Sequence, residues 1–369
     1  MSYQQCTRCL MDTTAKDIFF DENGICNYCK DFENVLKNPK KRINVHLDDL
    51  VKQIKEDGKN KPYDCIVGVS GGVDSSYTLV KAKELGLRPL AVHMDNGWDS
   101  ELAANNIKNL VEGLGVDLYT HVIDWDEYRE LMQAFFDADV IDIELLYDNA
   151  MLAVDYEQAA KYGIKYILAG TNTSTEGMKI PENWNWFKFD KKNIYNLAKT
   201  RNIKIKTFPA FSTFDFVYYE YVRRIRWISF LDYLDNYNKF DALQILQKNY
   251  RYKPYPYKHY ESIFTRFYQG YLLPEKFNVD KRKVHLSTLI ISGQMTREQA
   301  LEQLQGKYAY PSERDLEEDI QYFLKKMRWT RKELEEYVNR PEKPHTQYGS
   351  EIKFFKLLVN IHKKLKGIK

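Results

Sequence analysis

The sequence predicts an α/β fold built on a doubly wound parallel sheet, with a cysteine-rich module before it and a helical region after it. Three observations predict this. Short apolar strands alternate with helical stretches between about Lys61 and Phe211, the pattern of strands covered on both faces by crossover helices. Four of the five cysteines fall within the first thirty residues. After Phe214 the chain turns to segments crowded with tyrosine, arginine and lysine. A chain of 369 residues is long enough for more than one domain, and the expected divisions are 1–38, 44–213 and 214–369.

Composition narrows the class. A 44% hydrophobic and 29% charged chain is that of a soluble globular protein rather than a disordered one. The formal charge of +3 permits an anionic substrate or RNA without demanding either. No apolar run reaches the ~18–20 residues of a membrane helix, and Met1-Ser-Tyr-Gln-Gln has neither the charged nor the apolar part of a secretory signal. The expectation is a cytoplasmic protein that makes no membrane contact.

In chain order, the first element is Cys6-x2-Cys9-x16-Cys26-x2-Cys29, with a turn at 21–24. In a reducing compartment such spacing points to metal rather than disulfides, and it matches a four-thiolate zinc ribbon. Four protein ligands leave no open position, so the expected Zn2+ is structural. A linker at 38–42 and an amphipathic helix over 46–55 lead into the next domain. Strands at 65–69, 90–94, 118–123 and 166–169 are short and rich in branched or aromatic residues, as a buried parallel sheet requires. Cys65, inside the first of them, reads as a small core residue.

The string Ser70-Gly-Gly-Val-Asp-Ser-Ser76 follows that first strand and opens a helix near Asp74 or Ser75. Backbone N–H groups at a helix N-terminus make an anion site. Gly71 and Gly72 allow close approach, while Ser70, Ser75 and Ser76 add hydroxyl donors. Asp74 can cap the helix or hold a magnesium-bound water. The Gly-Lys-Ser/Thr of loops that transfer a terminal phosphate is not present. The string resembles the loop of the PP-loop ATP pyrophosphatase superfamily (adenine nucleotide alpha hydrolase-like fold), whose members grip the β and γ phosphates together and break the α–β bond. That resemblance implies a departing pyrophosphate. It also implies adenosine contacts at 92–97, including Asp95, and a nucleotide-facing element at Gly170-Thr171-Asn172.

Residues 258–287 crowd basic, amide and imidazole groups among aromatics and include the run Asp280-Lys-Arg-Lys283. Taken alone this is a solvated basic face; with the loop it becomes a candidate phosphate-facing wall. The four-cysteine ribbon, the loop, Ile167-Leu-Ala-Gly-Thr-Asn172 and residues 258–287 together resemble the N-acetyl sugar amidotransferase family of surface-polysaccharide and LPS O-antigen biosynthesis. By that resemblance the substrates are ATP with Mg2+ and a nucleotide-activated N-acetyl sugar, whose acetamido group becomes acetamidino. Asp74, Lys258, Lys281 and Arg282 are then the catalytic candidates. His259, Glu261, Arg266, Gln269 and His285 are candidates for sugar-nucleotide contact or ammonia deprotonation.

The resemblance further implies ammonia from a separate glutaminase subunit, with a cyclase-like barrel protein as a possible companion. The chain's cysteines agree with a separate glutaminase, since residue 2 is serine, four thiols are committed to metal and Cys65 is buried in a strand. The rival keeps the adenylation and makes the substrate tRNA, in a thiolation-type enzyme. Such enzymes usually need catalytic cysteines near the loop, so nucleic acid is not the expected partner. A zinc-ribbon scaffold that merely holds ATP is the non-enzymatic alternative.

Overall fold

The computed structural model describes residues 2–37 and 45–365, and the linker expected at 38–42 lies outside them. Five parallel strands form one sheet: β1 (Cys65–Gly68), β2 (Pro89–Asp95), β3 (Asp117–Val122), β4 (Tyr166–Ala169) and β5 (Arg226–Ser229). Their spatial order is β3-β2-β1-β4-β5. The chain winds outward from β1 to β3, then crosses back to β4 beside β1. That reversal puts a crevice between the carboxyl ends of β1 and β4, where α/β sheets bind ligands.

The helices, in chain order, are α1 (Asn27–Lys37), α2 (Leu47–Gly58), α3 (Val73–Glu84), α4 (Glu101–Leu114), α5 (Trp125–Asp137), α6 (Leu145–Lys161), α7 (Thr173–Glu176), α8 (Lys191–Thr200) and α9 (Thr213–Val217). Beyond β5 come α10 (Lys239–Tyr250), α11 (Ile263–Phe267), α12 (Leu273–Phe277), α13 (Arg282–Ile291), α14 (Arg297–Gln303), α15 (Glu313–Met327), α16 (Arg331–Asn339) and α17 (Ile352–Leu365). Alternate side chains of β1, β2 and β4 feed two cores. Ile66, Leu90, Val92, Met94 and Ile167 pack with α5 and α6. Val67, Ala91 and Leu168 pack with α2, α3, α4 and α10 on the opposite face. The sheet is therefore doubly wound, as its sequence pattern predicts.

Two elements differ from the sequence reading. The segment 118–123 reads as a buried strand, yet β3 is the sheet's edge and alternates exposed with half-buried residues. Its branched and aromatic residues give the same signal whether one face is covered or two. The stretch 218–227 reads as helix, but α9 widens into a π-helical turn at Tyr218–Val222 and the chain then enters β5. This strand is only four residues long and follows a helical Tyr/Arg pattern, so pairing with β4 creates it. It also carries the sheet past the division expected at 213.

Candidate active site

The loop between β1 and α3 is braced from within. Ser70 Oγ and Ser75 Oγ are 3.2 Å apart, and the Ser70 N–H donates to Ser75 Oγ at 3.3 Å. Gly71 holds φ at +83°, the left-handed region that makes glycine the natural residue here. Its carbonyl accepts from Tyr252 and Tyr255 hydroxyls at 2.8 and 3.1 Å. The Val69 carbonyl is 2.8 Å from His93 Nδ1, and His93 Nε2 reaches Asp99 at 2.8 Å. Burial opposes charge on His93, but Asp99 outweighs it and raises the imidazole above its ordinary value. Gly170, closing β4, lies so near that a Cβ there would stand 2.6 Å from the Ser75 amide nitrogen.

A cavity of about 510 Å³ opens over this loop, within the size range of small-molecule sites. Ser70, Gly72, Asp74 and Ser75 line one side, together with Gly170 and Thr171. The facing wall is built from residues 254–262 and the first turn of α13, carrying Lys258, His259, Glu261, Lys281, Arg282 and His285. The wall is stitched to the sheet: the Ser100 N–H donates to the Glu261 carbonyl and the Ile263 N–H to the Trp98 carbonyl, both at 2.8 Å. Glu261 reaches the loop itself, its Oε1 lying 2.6 Å from where a Cβ on Gly72 would stand. Arg266 and Gln269 also line the cavity, Gln269 from a π-helical turn at Tyr268–Leu272.

The charged candidates arrive already paired. Lys258 donates to Glu176 at 2.7 Å. Burial lowers its ammonium, yet Glu176 and Asp74 prevail and raise it. Lys281 donates to Glu144 at 3.1 Å, and Gln269 donates to both oxygens of the same carboxylate at 3.1 and 2.9 Å. Arg282 pairs with Asp280 and points further donors at the carbonyls of Gln305, Gly306 and Tyr308. Arg266 makes a two-pronged pair with buried Asp319 through its Nε and Nη2 groups. Asp74 accepts from Tyr237 and, at 3.1 Å, from Thr175 Oγ1.

Four of the predicted nucleotide residues do not line the cavity. Gly71 shapes the turn rather than the wall. Ser76 is fully buried and its hydroxyl finds no hydrogen-bond partner among the described residues. Helical spacing explains this, since Ser75 and Ser76 point about 100° apart. Asn172 caps α7, accepting from the Thr175 N–H at 2.9 Å. Asp95 accepts from the Gly97 N–H at 2.7 Å, and Asp99 from the same loop lines the cavity instead.

Sequence reasoning missed an apolar slot that opens from the cavity between α6 and the sheet. Val92, Met94, Met151, Val154 and Ile167 line it. Asp155 sits there fully buried, one carboxyl oxygen without a partner among the described residues. Burial pushes its pKa up to about 8. A Cβ on Gly68 would come within 3.0 Å of that carboxyl, so the glycine makes the room. Nothing in the run Ala153-Val-Asp-Tyr156 separates this aspartate from a surface one; only its placement under β1 does.

The four expected metal ligands come together. Their Sγ atoms lie within 4.8 Å of one another, with Cys6–Cys29 at 3.8 Å and Cys9–Cys26 at 3.7 Å. Thiolates about 2.3 Å from a shared zinc would be about 3.8 Å apart, so the set fits the ion. Backbone N–H groups of Arg8, Cys26 and Met11 point at the sulfurs at 3.3–3.4 Å, the hydrogen bonding that steadies metal-bound thiolates. The module also leans on α13: the Leu10 N–H donates to Ser287 Oγ at 2.9 Å, and Lys283 pairs with Asp12.

Two family models match the chain. NAD synthase matches residues 43–204, and the C-terminal domain of LPS biosynthesis protein WbpG-like matches residues 261–361. The chain thus carries a NAD synthase/PP-loop domain followed by a WbpG-like C-terminal domain. The NAD synthase match spans β1 to β4 and the phosphate loop but not β5, and the WbpG-like match begins at Glu261, on the facing wall. Among solved structures it is similar to NMN synthetase from Francisella tularensis, at 17% identity over 61% of this chain and 92% of that one, with a TM-score of 0.28. An NH3-dependent NAD synthetase from Campylobacter jejuni gives 17% identity, coverage of 58% and 93%, and a TM-score of 0.28. A search of curated proteins finds no match. Among the described residues no helix is long and apolar enough to cross a membrane.

Proposed function

We propose that this PP-loop protein is an ATP-dependent N-acetyl sugar amidotransferase. It adenylates the acetamido carbonyl of a nucleotide-activated N-acetyl sugar, then replaces the oxygen with ammonia to leave an acetamidino group, AMP and pyrophosphate. One observation carries this reading: a loop suited to pyrophosphate faces, across a single cavity, a wall that includes Glu261 and the start of α13 from the WbpG-like region.

An amide carbon is a poor electrophile because the nitrogen lone pair delocalises into the carbonyl, and its oxygen is a poor leaving group. Attack of that oxygen on the α-phosphorus expels pyrophosphate and gives an O-adenylyl imidate, from which ammonia displaces AMP. Positioning and charge stabilisation supply the catalysis. The α3 N-terminus, Ser70 and Ser75 hold the pyrophosphate, and Lys258 stands across from them. Asp74, with Glu176 and Glu261 nearby, offers the oxygen donors that magnesium on a polyphosphate uses, and the ion would neutralise charge on the leaving group. The apolar slot above Asp155 suits the nucleobase. The cysteine module holds a structural zinc. Ammonia comes from a separate glutaminase, with a cyclase-like barrel protein as a further partner, and the reaction is cytoplasmic.

The thiolation-type rival lacks its nucleophile, since Cys65 is fully buried with its thiol pushed up by burial and the other four cysteines face one another. The test is incubation with ATP, ammonium and UDP-linked diacetamido sugars. A sugar product one mass unit lighter, with AMP and pyrophosphate, is the expected result. ADP and orthophosphate would overturn the reading.

A further inference from the structure

His259 and His285 meet in the cavity wall, ring centroids 5.1 Å apart and planes inclined by 62°. His259 holds φ at +69°, a left-handed backbone unusual for histidine and of the kind that collects at functional sites. His285 Nε2 is buried without a hydrogen-bond partner among the described residues. The charged groups around the pair come from every neighbouring element. Lys258 and Glu261 belong to the wall, Lys239 to α10, Arg282 to α13 with Lys281 just before it, Glu144 to the start of α6, Glu176 to α7 and Asp74 to α3. Glu144 and Glu176 are engaged by Lys281 and Lys258, while Glu261 lies against the loop on the nucleotide side. Burial, and then Lys258 and Lys281, hold both imidazoles well below the ordinary histidine range. The pair is thus a neutral lone-pair donor in surroundings rich in ammonium and guanidinium groups, which are themselves unable to accept a proton.

We propose that His259, seated against His285, is the base that takes the proton from ammonia as it attacks the adenylated acetamido carbon. This rests on the amidotransferase reading above. The nitrogen lone pair forms the C–N bond and the nitrogen becomes cationic. His259 accepts one of its protons. The C–O bond then breaks, its electron pair leaves with AMP, and an amidinium remains. The surrounding cations repel ammonium and admit neutral ammonia; because they also disfavour an imidazolium, the proton passes from His259 to the phosphate of the departing AMP. His285 positions the His259 ring.

The experiment separates the two half-reactions in the full-length enzyme, with an acetamido sugar nucleotide that the wild type turns over. Sugar-dependent exchange of labelled pyrophosphate into ATP reports adenylation; amidine formation from ammonium reports the second step. His259→Asn suits the left-handed backbone, because asparagine tolerates it, and His285→Gln tests the neighbour. For His259→Asn, amidine formation should fall about 10²–10⁴-fold while exchange persists, which also shows that the variant folds. Added imidazole should restore part of the loss. His285→Gln should lower amidine formation less and leave exchange in place. Amidine formation within about threefold of wild type, or exchange falling in step with it, would overturn the proposal. No exchange by the wild type with any acetamido sugar would remove the amidotransferase reading and the base together, a failure visible before any variant is made.

Discussion

At the scale of single residues, charge placement decides what each group can do. Asp155 keeps its proton up to about pH 8 in the fold, against an ordinary value of 3.8. Between those values the unfolded chain releases a proton that the folded one retains, so the group's contribution to stability falls as pH rises through this window, by up to about 1.4 kcal/mol per pH unit. Asp155→Asn, which mimics the protonated form, should flatten that slope. Urea melts of both proteins at pH 5.5 and 7.5 would measure it, and parallel slopes would show that Asp155 ionises freely. The contrast with Ser76 is instructive. The loop string drew attention to the serine, which turned out buried, while the aspartate that matters to the slot stood in an unmarked helix. Residue type and spacing locate a backbone motif well, because the motif is contiguous. They do not locate side chains that gather from distant segments.

At the scale of elements, two contacts hold the site's halves in place. Gly170 lets β4 approach the first turn of α3, and an alanine Cβ there would meet backbone atoms of Ser75 at 2.6 and 2.8 Å. Backbone cannot swing aside as a side chain can. Gly170→Ala should cost ~1–3 kcal/mol and lower AMP release roughly 100-fold through misplacement of the loop; unchanged turnover would show that the approach is dispensable. The second contact joins the cysteine module to α13, through Leu10 packed on Leu286, Leu289 and Met295 and the pairing of Lys283 with Asp12. Cys9→Ser, which breaks the four-thiol set, should therefore loosen the wall more than the loop. Metal analysis should find zinc lost and sugar-dependent turnover down by about tenfold or more, while calorimetry still finds ATP bound. Loss of ATP binding as well would mean that the module supports the whole domain. The module's fold was legible in its spacing, because four ligands around one ion leave few arrangements; its seat on α13 was not, because that depends on residues far along the chain.

At the scale of the molecule, the carboxyl-terminal segments wrap back onto the sheet domain at Asp139. This buried residue, at φ +55°, accepts from Lys276 at 3.1 Å, Arg340 at 2.8 Å and Lys343 at 3.3 Å. Burial raises its pKa, but Arg340 and Lys276 outweigh that and hold the carboxyl below its ordinary range. Asp139→Asn keeps a residue that tolerates the backbone but leaves Lys276 buried without its counter-charge. It should cost about 3–5 kcal/mol and speed tryptic cleavage at Lys332 in α16; an unchanged digest would show that other contacts hold the wrap. By itself the sequence determined the doubly wound class, four of the five strands, the phosphate loop and the four-cysteine cluster, since each is written in local periodicity or contiguous spacing. Tertiary structure alone decided the fifth strand and the exposure of β3. It alone also committed Arg266 and Arg282 to internal partners and brought Asp155 and the two histidines to one cavity. Those outcomes depend on which distant surfaces pack together, and packing is a property of the whole chain that no short window contains.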